Sequence, residues 1–207
     1  MRFGPAILLT LALAGCATSS GEQATGFLNP EIARAYIPLE GTTYVLMQTR
    51  GAAFVVAPGV AVTNAHNAGI VGKNVIGTSR NYDLLFFHVD RTAAPAYGAP
   101  TVGEQVIAYG QGAHGEVREA HGTVRLLNAP VEARCPTCIV QAAFTFEGNA
   151  GPGFSGGPVV DAASGRIVGI TFGYLDPGGH RLMYAYPMSR VRNELAAIAG
   201  HLPVDVD

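Results

Sequence analysis

The chain contains no tryptophan, only three cysteines among 207 residues, and just 14% charged residues. The missing tryptophan decides nothing. Scarce charge does: soluble domains carry about 25%, and a disordered chain needs high net charge and little apolar content. With 48% hydrophobic residues and a formal net charge of −2, this chain belongs to a compact, well-buried fold. A pI near 6.3 and 13 basic residues against 15 acidic provide no basic face for nucleic acid. Beyond the N-terminus no apolar run is long enough to cross a bilayer. Cys135 and Cys138 stand in "RCPTC" without the second cysteine pair or spaced histidines that a zinc site needs. Their segment has no helical pattern either, which speaks against a redox motif at a strand-to-helix junction. No metal or organic cofactor is implied. Glycine, by contrast, is abundant at 27 residues, about twice the usual share, and indicates many tight turns.

The first fifteen residues read as a targeting segment: Arg2 gives a positive start and Ala6 to Ala14 a short apolar run. It ends in "LAGC", followed by the polar "ATSSGEQATG". This resembles the bacterial lipoprotein signal, which implies that Cys16 is acylated and becomes the mature N-terminus. Several acyl chains on one residue meet the requirement for stable anchoring. Ala17 in the next position resembles lipoproteins sorted to the outer membrane of Gram-negative cells. The mature chain is thus expected in the bacterial cell envelope, lipid-anchored and facing the periplasm or the surface. An ordinary secretory signal is the alternative. In that oxidising setting a small disulfide between Cys135 and Cys138 is the plain reading, with free thiols the other.

Residues 16–41 are expected to be a tether and N-terminal segment, with Ser19 to Gly26 flexible. A short helix is expected over Asn29–Tyr36, capped by Asn29 and started by Pro30. From Thr42 the pattern turns to short β-type runs broken by glycine and proline. They fall at Thr43–Thr49, Ala53–Val56, Val60–Asn64, Asn74–Thr78, Leu84–Val89, Gln105–Tyr109, Glu116–Leu127, Ile139–Phe146, Gly157–Val160, Ile167–Tyr174 and Leu182–Pro187. Strands recurring without intervening helices predict an all-β fold of antiparallel sheet closed into barrels. A break near Pro95 divides it into a first barrel of about 42–97 and a second of about 102–188. A helix is expected over Ser189–Ala199, capped by Ser189, stopped by Gly200, with Val191, Leu195 and Ile198 on its docking face.

Three strings stand at strand edges in one order: "TNAHN" around His66, "NYDLLFF" around Asp83 and "GPGFSGGP" around Ser155. Histidine, carboxylate and serine are the parts of a nucleophilic triad, in which imidazole takes the hydroxyl proton and the carboxylate holds its tautomer. Glycines around the serine suit a tight loop whose N–H groups converge on an oxyanion. Asp90 is a spare carboxylate at the far end of its strand, and His88 reads as a core or lobe-interface residue. His114, His121, His180 and His201 read as loop and surface residues.

With that order of motifs, the chain resembles the trypsin-like (chymotrypsin-fold) serine peptidases over roughly Thr43 to Ala199, especially the bacterial Deg-type branch. The resemblance implies two antiparallel six-stranded-type β-barrels with a C-terminal helix and endopeptidase activity on proteins or peptides. It implies His66 as base, Asp83 as its partner, Ser155 as nucleophile, and the Gly153 and Ser155 amides as oxyanion hole. In "ITFGY", Thr171 is placed near the His66–Asp83 pair, and Phe172 and Gly173 beside the substrate cleft. Six residues before Ser155 stands Asn149, where trypsin-type enzymes carry an acid, so an uncharged or apolar residue is expected before the scissile bond.

Three departures accompany the resemblance. His66 and Asp83 lie only 17 positions apart, which calls for a pared-down first lobe. Phe154, not an acid, precedes Ser155, so activation by a freed N-terminal amine is ruled out. No PDZ-like extension follows the helix. Two rival functions remain. A lipase-type elbow also fits "GFSGG", with Asp176 and His180 or His201 as partners, but it requires a helix after the serine. A non-catalytic protease-fold lipoprotein acting as a binding module is the other.

Overall fold

The computed structural model describes residues 20–44, 47–92, 95–132, 139–176 and 181–200. Cys16, Cys135, Cys138, His180 and His201 lie outside the described residues. Along the chain run β1 (Glu22–Gln23), α1 (Pro30–Ala35), β2 (Tyr36–Tyr44), β3 (Met47–Ala57), β4 (Val60–Thr63), a 3₁₀ turn (Ala65–Asn67), α2 (Ala68–Val71), β5 (Val75–Thr78) and β6 (Leu85–His88). Then come β7 (Gln105–Gln111), β8 (Val117–Glu132), β9 (Ile139–Gly148), β10 (Pro158–Asp161), β11 (Ile167–Leu175), β12 (Leu182–Pro187) and α3 (Met188–Ala199).

Short Val-, Ile- and Phe-rich runs separated by glycine turns pair with their neighbours, all antiparallel, in two sheets. The first has the order β2-β3-β4-β6-β5. The second runs β8-β7-β10-β11-β12-β9, and β8 pairs with β9 to close a six-stranded barrel, with β1 added outside on β8. The second lobe therefore meets the expected six-stranded barrel. The first stops at five strands, because only β5 fits in the interval between His66 and Asp83.

One apolar cluster is shared by the lobes: Phe54, Val62 and Phe86 of the first lie in it with Ile107, Tyr109, Ile170 and Tyr186 of the second. A separate cluster containing Phe144, Phe146, Phe154, Val159 and Met183 belongs to the barrel. The lobe connection is fastened by Tyr97, whose hydroxyl donates towards the Val55 and Val56 carbonyls at 3.3 and 2.9 Å. Burial pushes that hydroxyl's pKa up to about 12. The helix α3 buries Val191 and packs Leu195 and Ile198 on the shared cluster, as its spacing predicts.

Four local expectations need correction. The predicted strand Thr43–Thr49 straddles the end of β2 and the start of β3. Ser19–Gly26 is no flexible tether where it is described: Ser20 and Gly21 are buried and Glu22–Gln23 form β1. Its polar composition suggests solvent, yet its backbone finds partners on β8. His88 is exposed at the end of β6, since the strand's last side chain leaves the core. Ser189 lies inside α3, which Pro187 caps without a side-chain bond; α1 is capped by Asn29 as expected, through the Glu31 and Ile32 amides.

Phe54 is fully buried where the lobes share their core. Phe54→Ala is expected to cost about 3–5 kcal/mol of unfolding free energy, read from the urea midpoint. A loss below 1 kcal/mol would contradict a single shared core.

Candidate active site

His66 and Asp83 meet because β4 and β6 are paired with Thr63 opposite Leu85, so the residues just beyond those ends emerge side by side. The 3₁₀ turn after β4 presents His66 half-exposed. The Asp83 carboxylate then grips it twice. Oδ2 lies 2.6 Å from Nδ1, and Oδ1 accepts the His66 backbone N–H at 3.1 Å. An ionised carboxylate only accepts, so Nδ1 carries the proton and Nε2 keeps its lone pair.

The Asp83 backbone is itself held. Its carbonyl accepts the Asn64 side-chain amide at 2.9 Å, and its N–H points to the Tyr186 hydroxyl at 3.4 Å. Tyr186 is the middle of an aromatic row: Phe172 stacks on it at 4.0 Å and Tyr82 meets it edge-on at 5.5 Å. Phe172, half-buried on β11, thus lies two rings from the loop that carries Asp83.

Ser155 sits in the turn before β10, and first-lobe donors hold its carbonyl. The Ala52 N–H reaches it at 2.9 Å and Asn67 Nδ2 at 3.2 Å. Asn67 is the residue after His66, and its Nδ2 also donates to Thr63 Oγ1 at 2.9 Å. Thr63 Oγ1 passes on to the Ala52 carbonyl at 2.7 Å. One buried polar knot therefore joins the histidine turn to the serine turn across the lobe boundary. Gly156 completes it: its φ is +85°, and a Cβ there would fall 2.1 Å from the Ala52 carbonyl oxygen. Only glycine fits such a close approach.

The amides of Gly153 and Ser155 find no acceptor among the described residues. Phe154 between them turns its amide back to the Gly151 carbonyl at 3.0 Å and buries its ring in the barrel core. Thr171 locks the loop from the other side, accepting the Gly156 N–H at 2.8 Å and donating to the Gly157 carbonyl at 3.0 Å. Its Oγ1 is buried without a partner among the described residues. Beyond Thr171, β11 has no partner on β10 or the turn before it, so the Phe172–Leu175 edge is open on that side among the described residues. Gly173 has nothing within 4 Å of its Cβ direction. Asn149 is exposed, and its carbonyl accepts the Gly21 N–H at 2.6 Å.

His66, Asp83 and the Ser155 turn thus come together, with Thr171 and Phe172 beside them. The structural partners Asn67, Thr63, Asn64 and Tyr186 escaped sequence reasoning. Two of the asparagines flank His66 in "TNAHN", and their polarity beside an apolar strand was the available signal. Strand β10, not a helix, follows the serine, which excludes the lipase-type elbow. The described residues contain no cluster of His, Cys, Asp and Glu able to hold a metal, and no helix long and apolar enough to cross a membrane.

Asn67→Ala removes one buried and one part-buried hydrogen bond and should lower stability by about 1–3 kcal/mol, measured by urea unfolding. Retention of full stability would show that the knot carries no strain between the lobes.

No family model matches the sequence, and no curated protein sequence matches it. Solved structures do. The active form of the Rv3671c protease from M. tuberculosis superposes with a TM-score of 0.69 at 20% identity, covering 89% of this chain and 91% of that one. The HtrA-type protease AlgW with a tripeptide gives 0.63 at 22%, covering 83% of this chain and 63% of that one. The apo MamO protease domain from Magnetospirillum magneticum gives 0.61 at 17%, with 79% and 97% covered. These likenesses establish the fold as that of the chymotrypsin-like proteases.

Proposed function

We propose that the chain is a serine endopeptidase that cleaves peptide bonds through an acyl-enzyme. The observation that carries this reading is the double grip of Asp83 on His66, which fixes both ring orientation and tautomer. Nε2 is then the free base. Ser155 Oγ attacks the scissile carbonyl carbon while its proton passes to Nε2, and the carbonyl oxygen becomes an oxyanion facing the Gly153 and Ser155 amides. Collapse breaks the C–N bond, and the imidazolium returns the proton to the leaving amine. Water, deprotonated by the same nitrogen, hydrolyses the ester and regenerates the serine. Asp83 stays ionised throughout and stabilises the imidazolium.

Substrate has a place to lie. The open edge at Phe172–Leu175 offers backbone groups to an extended peptide, which would add as an antiparallel strand. Phe172 and Gly173 border that edge, and Asn149 at the loop entrance brings no carboxylate. We assign a preference for an uncharged or apolar residue before the scissile bond. The reading extends to export and anchoring through an acylated Cys16, with protein or peptide substrates met in the cell envelope.

A fluorophosphonate probe tests the centre. Wild type should be labelled, while Ser155→Ala and His66→Ala should not; labelling that survives Ser155→Ala would misplace the nucleophile. Asp83→Asn should lower kcat by about 10⁴-fold with the fold intact, since an amide cannot hold the same tautomer. On peptide libraries, cleavage after apolar residues should exceed cleavage after Lys or Arg. The reverse order would overturn the specificity assignment.

A further inference from the structure

The loop leading to Ser155 has its outer wall built from the N-terminal segment. Gly21 donates to the Asn149 carbonyl at 2.6 Å. Arg181 Nη1 lies 2.9 Å from the Ala150 carbonyl and 3.4 Å from Ser20 Oγ, so one guanidinium ties strap and loop together. A Cβ on Gly151 would fall 2.2 Å from Ser20 Oγ, so the strap presses directly on that residue. Gly21 has φ +68°, and a Cβ there would fall 2.5 Å from the Glu119 carbonyl oxygen and 2.7 Å from Phe154 Cζ. The Phe154 ring, 1% exposed, is clasped between Gly21 and Gly110, whose own Cβ would fall 2.5 Å from Phe154 Cγ.

The strap is in turn fastened to the barrel. Arg118 donates to the Ser20 carbonyl at 3.2 Å and to the Gly21 carbonyl at 2.6 Å. Glu22 and Gln23 pair with Glu119 and Arg118 of β8, and the Ala24 N–H reaches the Val117 carbonyl at 3.0 Å.

We propose that Ser20 and Gly21 are positioning residues for the loop 149–155, a brace that keeps the Gly153 and Ser155 amides aimed; this rests on the peptidase reading above. The brace touches neither substrate nor the reacting atoms. Oxyanion donors work by being aimed before the charge develops, so a loop free to relax loses rate without losing substrate affinity. The contacts are backbone hydrogen bonds, two guanidinium groups on backbone carbonyls and Ser20 Oγ, and apolar packing that seals a buried phenyl ring. They need no charged amine and no acid beside the serine.

The test uses the full chain with a specific protease recognition sequence inserted between Thr25 and Gly26, both exposed. The protein is folded intact, cut, and freed of its N-terminal fragment. Fluorophosphonate titration counts active sites, and kcat and KM are measured on a fluorogenic peptide with an apolar residue before the scissile bond. The cut form should show a fall in kcat per titrated site of about tenfold or more, with KM within about twofold of the uncut parent. Gly21→Val in the uncut chain should show the same split. Unchanged kcat per titrated site in the cut form, even with fewer titratable sites, overturns the brace alone. An uncut parent that does not label overturns brace and peptidase reading together.

Discussion

The carbonyl oxygen of Ser155 accepts from the Ala52 N–H and from the Asn67 amide, and both donors belong to the opposite lobe. Two lobes that merely shared an apolar interface would slide by fractions of an ångström as side chains repack. Hydrogen bonds are directional and lose most of their strength on such slippage. The Ala52–Thr63–Asn67 knot converts a greasy contact into a fixed register at the one place where register matters. Its inaccessibility to water adds to that, because a buried polar group left without its partner is costly. The position next to His66 is well chosen: the residue that presents the imidazole is chained to the residue that holds the serine.

Around that knot, the remaining contacts orient single groups. Asp83 settles the ring of His66, Asn64 settles Asp83, and the row Tyr82–Tyr186–Phe172 stiffens the ground beneath. Thr171 faces two ways, anchoring the serine turn with its backbone while its strand goes on to form an open edge. On the peptidase reading, catalytic geometry and substrate platform would be consecutive pieces of one strand. That economy explains how a first lobe of five strands suffices: it has to deliver one turn and one carboxylate, and β4 with β6 does both.

Much of this was legible in residue order alone. Alternating apolar runs ended by glycine located nearly every strand, and Leu182–Pro187 was placed to the residue. His66 and Asp83 were readable because each stands at the end of an apolar run, His66 after β4 and Asp83 before β6, and strand pairing does the rest. What could not be read was non-local. Thr43–Thr49 has uninterrupted strand-forming residues, so no local signal divides it between β2 and β3. Ser20–Gln23 is polar and glycine-bearing and looks solvated; its backbone finds its partners on β8 and at Asn149, about a hundred positions away or more. Asn67 looked like an ordinary neighbour of the histidine until the opposing lobe supplied the carbonyl it serves.

With Cys16 acylated as proposed, the strap's location would also govern where the domain can work. Ser20 is fixed to the barrel, and it stands only four positions after Cys16. Fully stretched, four residues reach about 14 Å, less than the radius of a small domain with its side chains. On the proposed anchor, the barrel would therefore rest against the lipid headgroups and could not swing outward on a long leash. Its catchment would be a thin shell above the bilayer, favouring polypeptide stretches that emerge from, or lie along, the same leaflet.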